Sequence, residues 1–75
     1  MKPGDYYMDE HFEPYTVILR VSDLIGPDGH ECTIVYTSNS YRMRLGEKVT
    51  RWSNDEELIP VVMLKIDGKV IPIKL

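Results

Sequence analysis

"PVVMLKIDGKVIPIKL", residues 60–75, is the stretch whose reading decides the fold. Two apolar runs, one from Pro60 to Ile66 and one from Lys69 to Leu75, flank Asp67-Gly68. Asp-Gly tolerates the positive φ values of a type I′ turn, whose twist matches that of the strands on either side. The segment therefore predicts a tight β-hairpin. Pro72 has no N–H to offer a ladder, which assigns the last strand to a sheet edge or ends it early. Both sides of this ribbon are apolar. Val62, Leu64 and Ile66 share one side of the first run, while Val61 and Met63 lie opposite with Lys65 as the exception. In the second run Val70 alternates with Ile71 and Ile73.

Upstream, the same period of two recurs. Tyr15, Val17, Leu19 and Val21 fall on one side of a strand and Thr16, Arg20 and Ser22 on the other, with Ile18 out of pattern. From His30 to Thr37, Cys32, Ile34 and Tyr36 oppose Glu31, Thr33, Val35 and Thr37. Gly26-Pro27-Asp28-Gly29 between these runs supplies turn chemistry, so they form a second antiparallel hairpin. Thr37-Ser38-Asn39-Ser40 is a polar break. After it Tyr41, Met43 and Leu45 alternate with Arg42 and Arg44, Gly46 permits a reversal, and Glu47 to Trp52 returns. That pattern predicts a third, short hairpin with a basic outer surface. Ser53-Asn54-Asp55-Glu56 has the form of a capping box, and Pro60 stops whatever it starts, which predicts one to two helical turns. A short strand is expected at Asp5 to Tyr7.

The fold class that follows is all-β: residues 1–75 as a single small domain of five to six strands with one short helical turn. Its form is a small antiparallel SH3-like barrel or a bent sheet. The order of elements resembles the SH3-like barrels: meandering strands, a tight hairpin, a short helical turn and a closing strand. The resemblance implies an architecture only, and no functional residue is carried over from it.

Seventy-five residues stand near the lower limit for a fold held by its hydrophobic core alone. With 43% hydrophobic and 28% charged residues, the composition is that of a globular chain and not a disordered one. Cys32 is the only cysteine, so no internal disulfide braces the core, and a free thiol suits a reducing, cytoplasmic setting. The first residues lack the apolar core of a secretory signal, and no apolar run approaches the roughly 20 residues of a membrane span. A soluble protein without membrane partners is expected. Net charge is −3, unevenly spread: residues 42–51 hold four basic groups against Glu47, a local +3, which leaves −6 for the remainder.

Little in the chain points to catalysis. Metal binding would draw on His30-x-Cys32 with His11, but one thiol and two scattered histidines fall short of the paired ligands zinc sites display. A buried Cys32 and a solvent-facing His30 are the simpler expectation. No nucleophile elbow and no glycine-rich phosphate loop occurs. Glu56 and Glu57 read as helix-cap residues. No enzymatic activity and no cofactor are therefore expected. Nucleic-acid binding would rest on Arg42, Arg44, Lys48 and Arg51, with Tyr41 or Trp52 as stacking rings. A pI near 5.2 opposes it, and Trp52 reads as a plug of the core. Protein binding has the stronger physical motive. A ribbon apolar on both faces needs cover on both faces, and 75 residues leave few elements to supply it. The expected function is a non-catalytic interaction module, an adaptor, inhibitor or homo-oligomerising domain. Its contact residues are Val62, Leu64, Ile66, Val70, Ile71 and Ile73, and its partner is another protein or a second copy. The alternative source of cover is the chain's own N-terminal segment, with Tyr6, Tyr7, Met8 and Phe12.

Overall fold

The computed structural model describes residues 2–39, 41–54 and 56–75. Six strands form one antiparallel sheet: β1 (Tyr6–Asp9), β2 (Val17–Ile25), β3 (Gly29–Thr37), β4 (Lys48–Trp52), β5 (Leu58–Ile66) and β6 (Lys69–Lys74). Across the sheet they run β4-β3-β2-β1-β5-β6. The first four strands meander, and β5 returns to the free side of β1. Of the two forms expected, barrel or bent sheet, the chain takes the bent sheet, with β4 and β6 at its edges.

The bend can be measured by one contact. β1 and β4 are three strands apart, about 14 Å along a flat sheet. Yet Asp9 Oδ2 on β1 meets Arg51 Nε on β4 at 2.6 Å. The sheet curls around the face that carries Val17, Leu19, Val21, Cys32 and Ile34, and Met43 and Leu58 complete this core. Tyr7, Phe12 and Val49 pack against it.

Two irregularities in the β2–β3 pairing decide which residues face inward. Ile18 lies opposite Tyr36 and Leu19 opposite Ile34, so Val35 has no partner across the ladder. A bulge of this kind turns the chain by one side-chain position. Cys32 and Ile34 accordingly enter the core while Tyr36, expected beside them, is exposed on the reverse face. Ile18, out of pattern in the sequence, is fully buried on that reverse face, opposite Met8 and Tyr36.

Two expected elements are absent among the described residues. Tyr41 to Leu45 forms no strand, and Lys48–Trp52 pairs with β3 instead. Met43 drops into the core, and the Met43 and Tyr41 amides donate to the Asn39 carbonyl and side chain, which coils the segment. Ser40 lies outside the described residues. The one to two helical turns predicted between the Ser53–Glu56 box and Pro60 are also missing, with Asp55 outside the described residues. The Ser53 amide and hydroxyl both donate to the Asp28 carbonyl in the β2–β3 turn, and the Glu57 carbonyl accepts from Glu10 N just past β1, so the segment is tied across the sheet and not coiled on itself. The short helical piece stands elsewhere, a 3-10 turn over Glu10–Phe12 whose cap is Asp9.

The C-terminal hairpin forms as the sequence predicts. Asp67 and Gly68 have φ of 51° and 79°, the type I′ turn, and Ile66 pairs with Lys69 across it. β6 lies at the sheet edge, as Pro72 requires. The opening strand of the chain begins one residue later than expected, lies between β2 and β5, and on the β5 side reaches no further than Leu58–Val61. Before it the chain turns toward β2, where Gly4 N donates to the Val21 carbonyl. Residues 62–75 therefore continue as a two-stranded ribbon, in a molecule 38 × 25 × 21 Å across.

Candidate interaction surface

Register fixes the two sides of the ribbon. Val62 faces Ile73 and Leu64 faces Ile71, with Ile66 and Lys69 closing the series at the turn. Directly opposed residues project from the same face, so Val62, Leu64, Ile66, Ile71 and Ile73 form one apolar surface. It continues the core side of the sheet, since Leu58 lies on the same strand at even spacing. Each of the five is between 37% and 48% exposed. Val70, grouped with them by the sequence, pairs with Lys65 on the reverse face, where it is more exposed still. Isolated exposed apolar residues are ordinary; these five differ in being contiguous on one face.

The ribbon's outer edge has a definite polarity. Leu75 N donates to the Pro60 carbonyl. Hydrogen-bonded pairs alternate along an antiparallel ladder, so Ile73, Ile71 and Lys69 also aim their backbone groups at β5. Val70, Pro72 and Lys74 aim theirs outward. The middle one of these three has no N–H. Proline and lysines on an edge strand hinder pairing with another strand.

Charge divides the molecule along the same line. Residues 62–75 hold Lys65, Lys69 and Lys74 against Asp67, a sum of +2, and the other 61 residues sum to −5. Lys74 Nζ lies 3.7 Å from Glu10 Oε1 at the ribbon's root.

The basic residues of 42–51 do not share a face. Arg51 reaches inward to fully buried Asp9 and lies over the Phe12 ring, 5.6 Å from its centroid. Asp9 also accepts from His11 N at 3.1 Å and lies 3.2 Å from His11 Nδ1. Lys48 pairs with Glu31 at 3.5 Å and bonds Thr33 Oγ1. Arg42 and Arg44 remain on the β3–β4 connection. Tyr41 there is 99% exposed. Trp52 is no core plug: it is 55% exposed, because its position opposite Gly29 places it on the reverse side of the sheet from the core. Two hollows flank the 3-10 turn, one of about 460 Å³ beside Trp52, Arg51 and Phe12 and one of about 280 Å³ beside Tyr15, Arg42 and Phe12.

His30 and Cys32 share the inner face of β3, as strand spacing requires. His30 is buried, contrary to the expectation of a solvent-facing ring, because β4 covers it through the pairing with Arg51. Ser53 Oγ lies 3.4 Å from its Nδ1. Burial pushes the Cys32 thiol above its ordinary pKa, with nearby Arg51 partly opposing the shift. Among the described residues no three His, Cys, Asp or Glu side chains are arranged to hold a metal ion. No helix among them is long and apolar enough to cross a membrane.

The Asp9–Arg51 pair is not visible in the sequence, where Arg51 counts only as one of the basic residues of 42–51. The available signal was weak: Asp9 follows Tyr7 at strand spacing, and Arg51 follows Val49, so each occupies a core-facing position.

Comparison with known proteins finds no family model, no curated protein and no solved structure that matches this chain.

Proposed function

We propose that this protein is a non-catalytic interaction module whose contact surface is the C-terminal ribbon, and that its first partner is a second copy of itself. One observation carries the reading: five apolar side chains line one face of a two-stranded ribbon that, among the described residues, pairs with the rest of the sheet only as far as Val61. Several such residues together cost stability in water and gain from cover. The one thiol is buried, and that burial raises its pKa, which makes it a poor nucleophile and speaks against cysteine-based catalysis.

Sedimentation equilibrium tests the reading. The apparent mass is expected to rise from that of the 8.7 kDa chain toward twice that value as concentration increases. A single monomeric mass throughout the range would rule out self-association.

A second reading, single-stranded nucleic-acid binding, is favoured by the exposed ring of Tyr41 beside Arg42 and Arg44 in the β3–β4 connection and by the exposed ring of Trp52 at the far end of β4. It has the poorer support, because Arg51 is committed to Asp9 and Lys48 to Glu31. A fluorescence titration with a labelled oligonucleotide at low salt separates the two. Binding that disappears in the double variant Arg42→Glu, Arg44→Glu is the outcome this alternative requires.

A further inference from the structure

We infer that two copies join by packing the inner faces of their ribbons against each other, antiparallel about a two-fold axis, so that the tip of each lies on the root of the other. This rests on the self-association proposed above and specifies its geometry.

Three features of the ribbon select this arrangement from the alternatives. The first is the edge. A partner strand added beside β6 would meet the outward groups of Val70, Pro72 and Lys74, and Pro72 breaks that ladder in the middle. Two copies paired there around Pro72 would lose a bond from each strand. The face is free of this obstruction.

The second is charge. At the ribbon's tip Lys69 stands on the inner face, with Lys65 on the reverse face and Asp67 in the turn, while at the root Glu10, Glu56 and Glu57 outnumber Lys74. Parallel packing would place the lysines of both tips together and the two acidic bodies side by side. Antiparallel packing sets each basic tip against an acidic root, and opposite charges meet on both sides of the axis.

The third is area. From the Pro60–Leu75 rung to the Ile66–Lys69 rung is six residues, about 20 Å. A strip of that length and two strands wide is a few hundred Å², below the roughly 800 Å² per partner of a standard interface. Only an arrangement in which each tip reaches the other body adds to it. The contact is therefore of modest strength, with dissociation in the micromolar range on the order expected for small interfaces.

Cysteine placement reads the geometry directly. Lys69 and Leu75 lie on the inner face at opposite ends of the ribbon. A disulfide needs Cα atoms within about 7 Å. Lys69→Cys and Leu75→Cys proteins are each expected to stay uncross-linked under mild oxidation and to form a mixed disulfide when combined. Native Cys32 is buried and serves as the background control. Lys69→Glu is expected to weaken association about tenfold, and Leu64→Lys at least a hundredfold, by burying an unpaired charge at each copy's contact.

The outcomes separate cleanly. Efficient Leu75→Cys homodisulfides, or Lys69→Cys homodisulfides, in a dimer still abolished by Leu64→Lys overturn the antiparallel geometry and leave ribbon-mediated association standing. A monomer at every concentration, or a dimer indifferent to Leu64→Lys, overturns both.

Discussion

The β2–β3 and β5–β6 hairpins are made of the same materials and meet opposite fates. β2, β3 and β5 are each nine residues long, and both hairpins are rich in Val, Ile and Leu and close through short turns containing glycine. Val17, Leu19 and Val21 on β2 are wholly buried, whereas Val62, Leu64 and Ile66 on β5 are partly exposed. Hydropathy does not separate them. Position in the sheet does: β2 has a strand on each side, and the curl of the sheet brings Met43, Val49 and Leu58 over its inner face. The outer half of β5 has only β6. Among the described residues seven of the fifteen exposed large apolar side chains lie in residues 62–75, so the surplus is concentrated in one element rather than scattered.

The sharpest way to break the comparison is to cut the same side chain from each hairpin. Leu19→Ala empties a site with no solvent contact and is expected to cost about 3–5 kcal/mol, near the upper end for such deletions. A domain of this size has on the order of 4–11 kcal/mol in total. Urea denaturation should show a large fall in midpoint, and a change within about 0.5 kcal/mol would mean that the body is not the cooperative core described.

A second, somewhat smaller effect tests what holds the curl. Arg51→Ala leaves the Asp9 carboxylate buried without its guanidinium, which typically costs about 3 kcal/mol or more. Because the pair links β1 to β4 across the concave face, the loss belongs to the body and should leave ribbon association unchanged once the protein is folded. Sedimentation of the variant below its unfolding temperature checks this. Loss of association along with stability would show that curl and ribbon are coupled.

The alkaline limb of stability belongs to the body as well. Burial raises the pKa of both the Cys32 thiol and the Tyr7 phenol, the latter helped by the Asp5 carboxylate. Both groups are neutral when protonated, so the folded state holds these protons more tightly than the unfolded chain does. Their stabilisation is full below the ordinary values of 9.0 and 10.0 and is lost as pH rises through the folded-state values. Thermal melts from pH 7 upward should be level with respect to these two groups and then decline above about pH 9. Tyr7→Phe should flatten part of that decline, and an unchanged slope would exclude the phenol as a contributor.

Strand existence was legible in the sequence because alternation and turn chemistry agree, as at Asp67-Gly68. What escaped was set by long-range geometry. The bulge opposite Ile18 and Leu19 moves Tyr36 to the reverse face, and nothing local to Thr33-Ile34-Val35-Tyr36 announces it. Met43 follows the alternation of a strand yet fills the core from a loop, since an apolar side chain satisfies either role. Ser53 has cap chemistry, but the Asp28 carbonyl uses its donors. Asp9 and Arg51 look like solvated charges until the sheet bends them together. Within each run of the ribbon alternation is enough: it sets Val62, Leu64 and Ile66 together and sets Val70 apart from Ile71 and Ile73. Which side of the second run joins Val62, Leu64 and Ile66 depends on the register across the turn, and that register leaves Val70, named among the contact residues, on the reverse face.

The smallest effect carries the comparison furthest. Leu64→Ala is expected to change the stability of the dilute monomer by about 1 kcal/mol or less, because the side chain it removes lies outside the core cluster and loses only its partial contact with Ile71 across the ribbon. A partner that binds only the folded state stabilises it in proportion to its concentration. The wild-type melting temperature should therefore climb with protein concentration, and the Leu64→Ala melting temperature should climb less or not at all. Leu19→Ala should behave the other way, with a low starting point and an undiminished dependence on concentration. A Leu64→Ala protein as damaged as Leu19→Ala when dilute would show that the ribbon stabilises its own chain, and the distinction between the two hairpins would disappear.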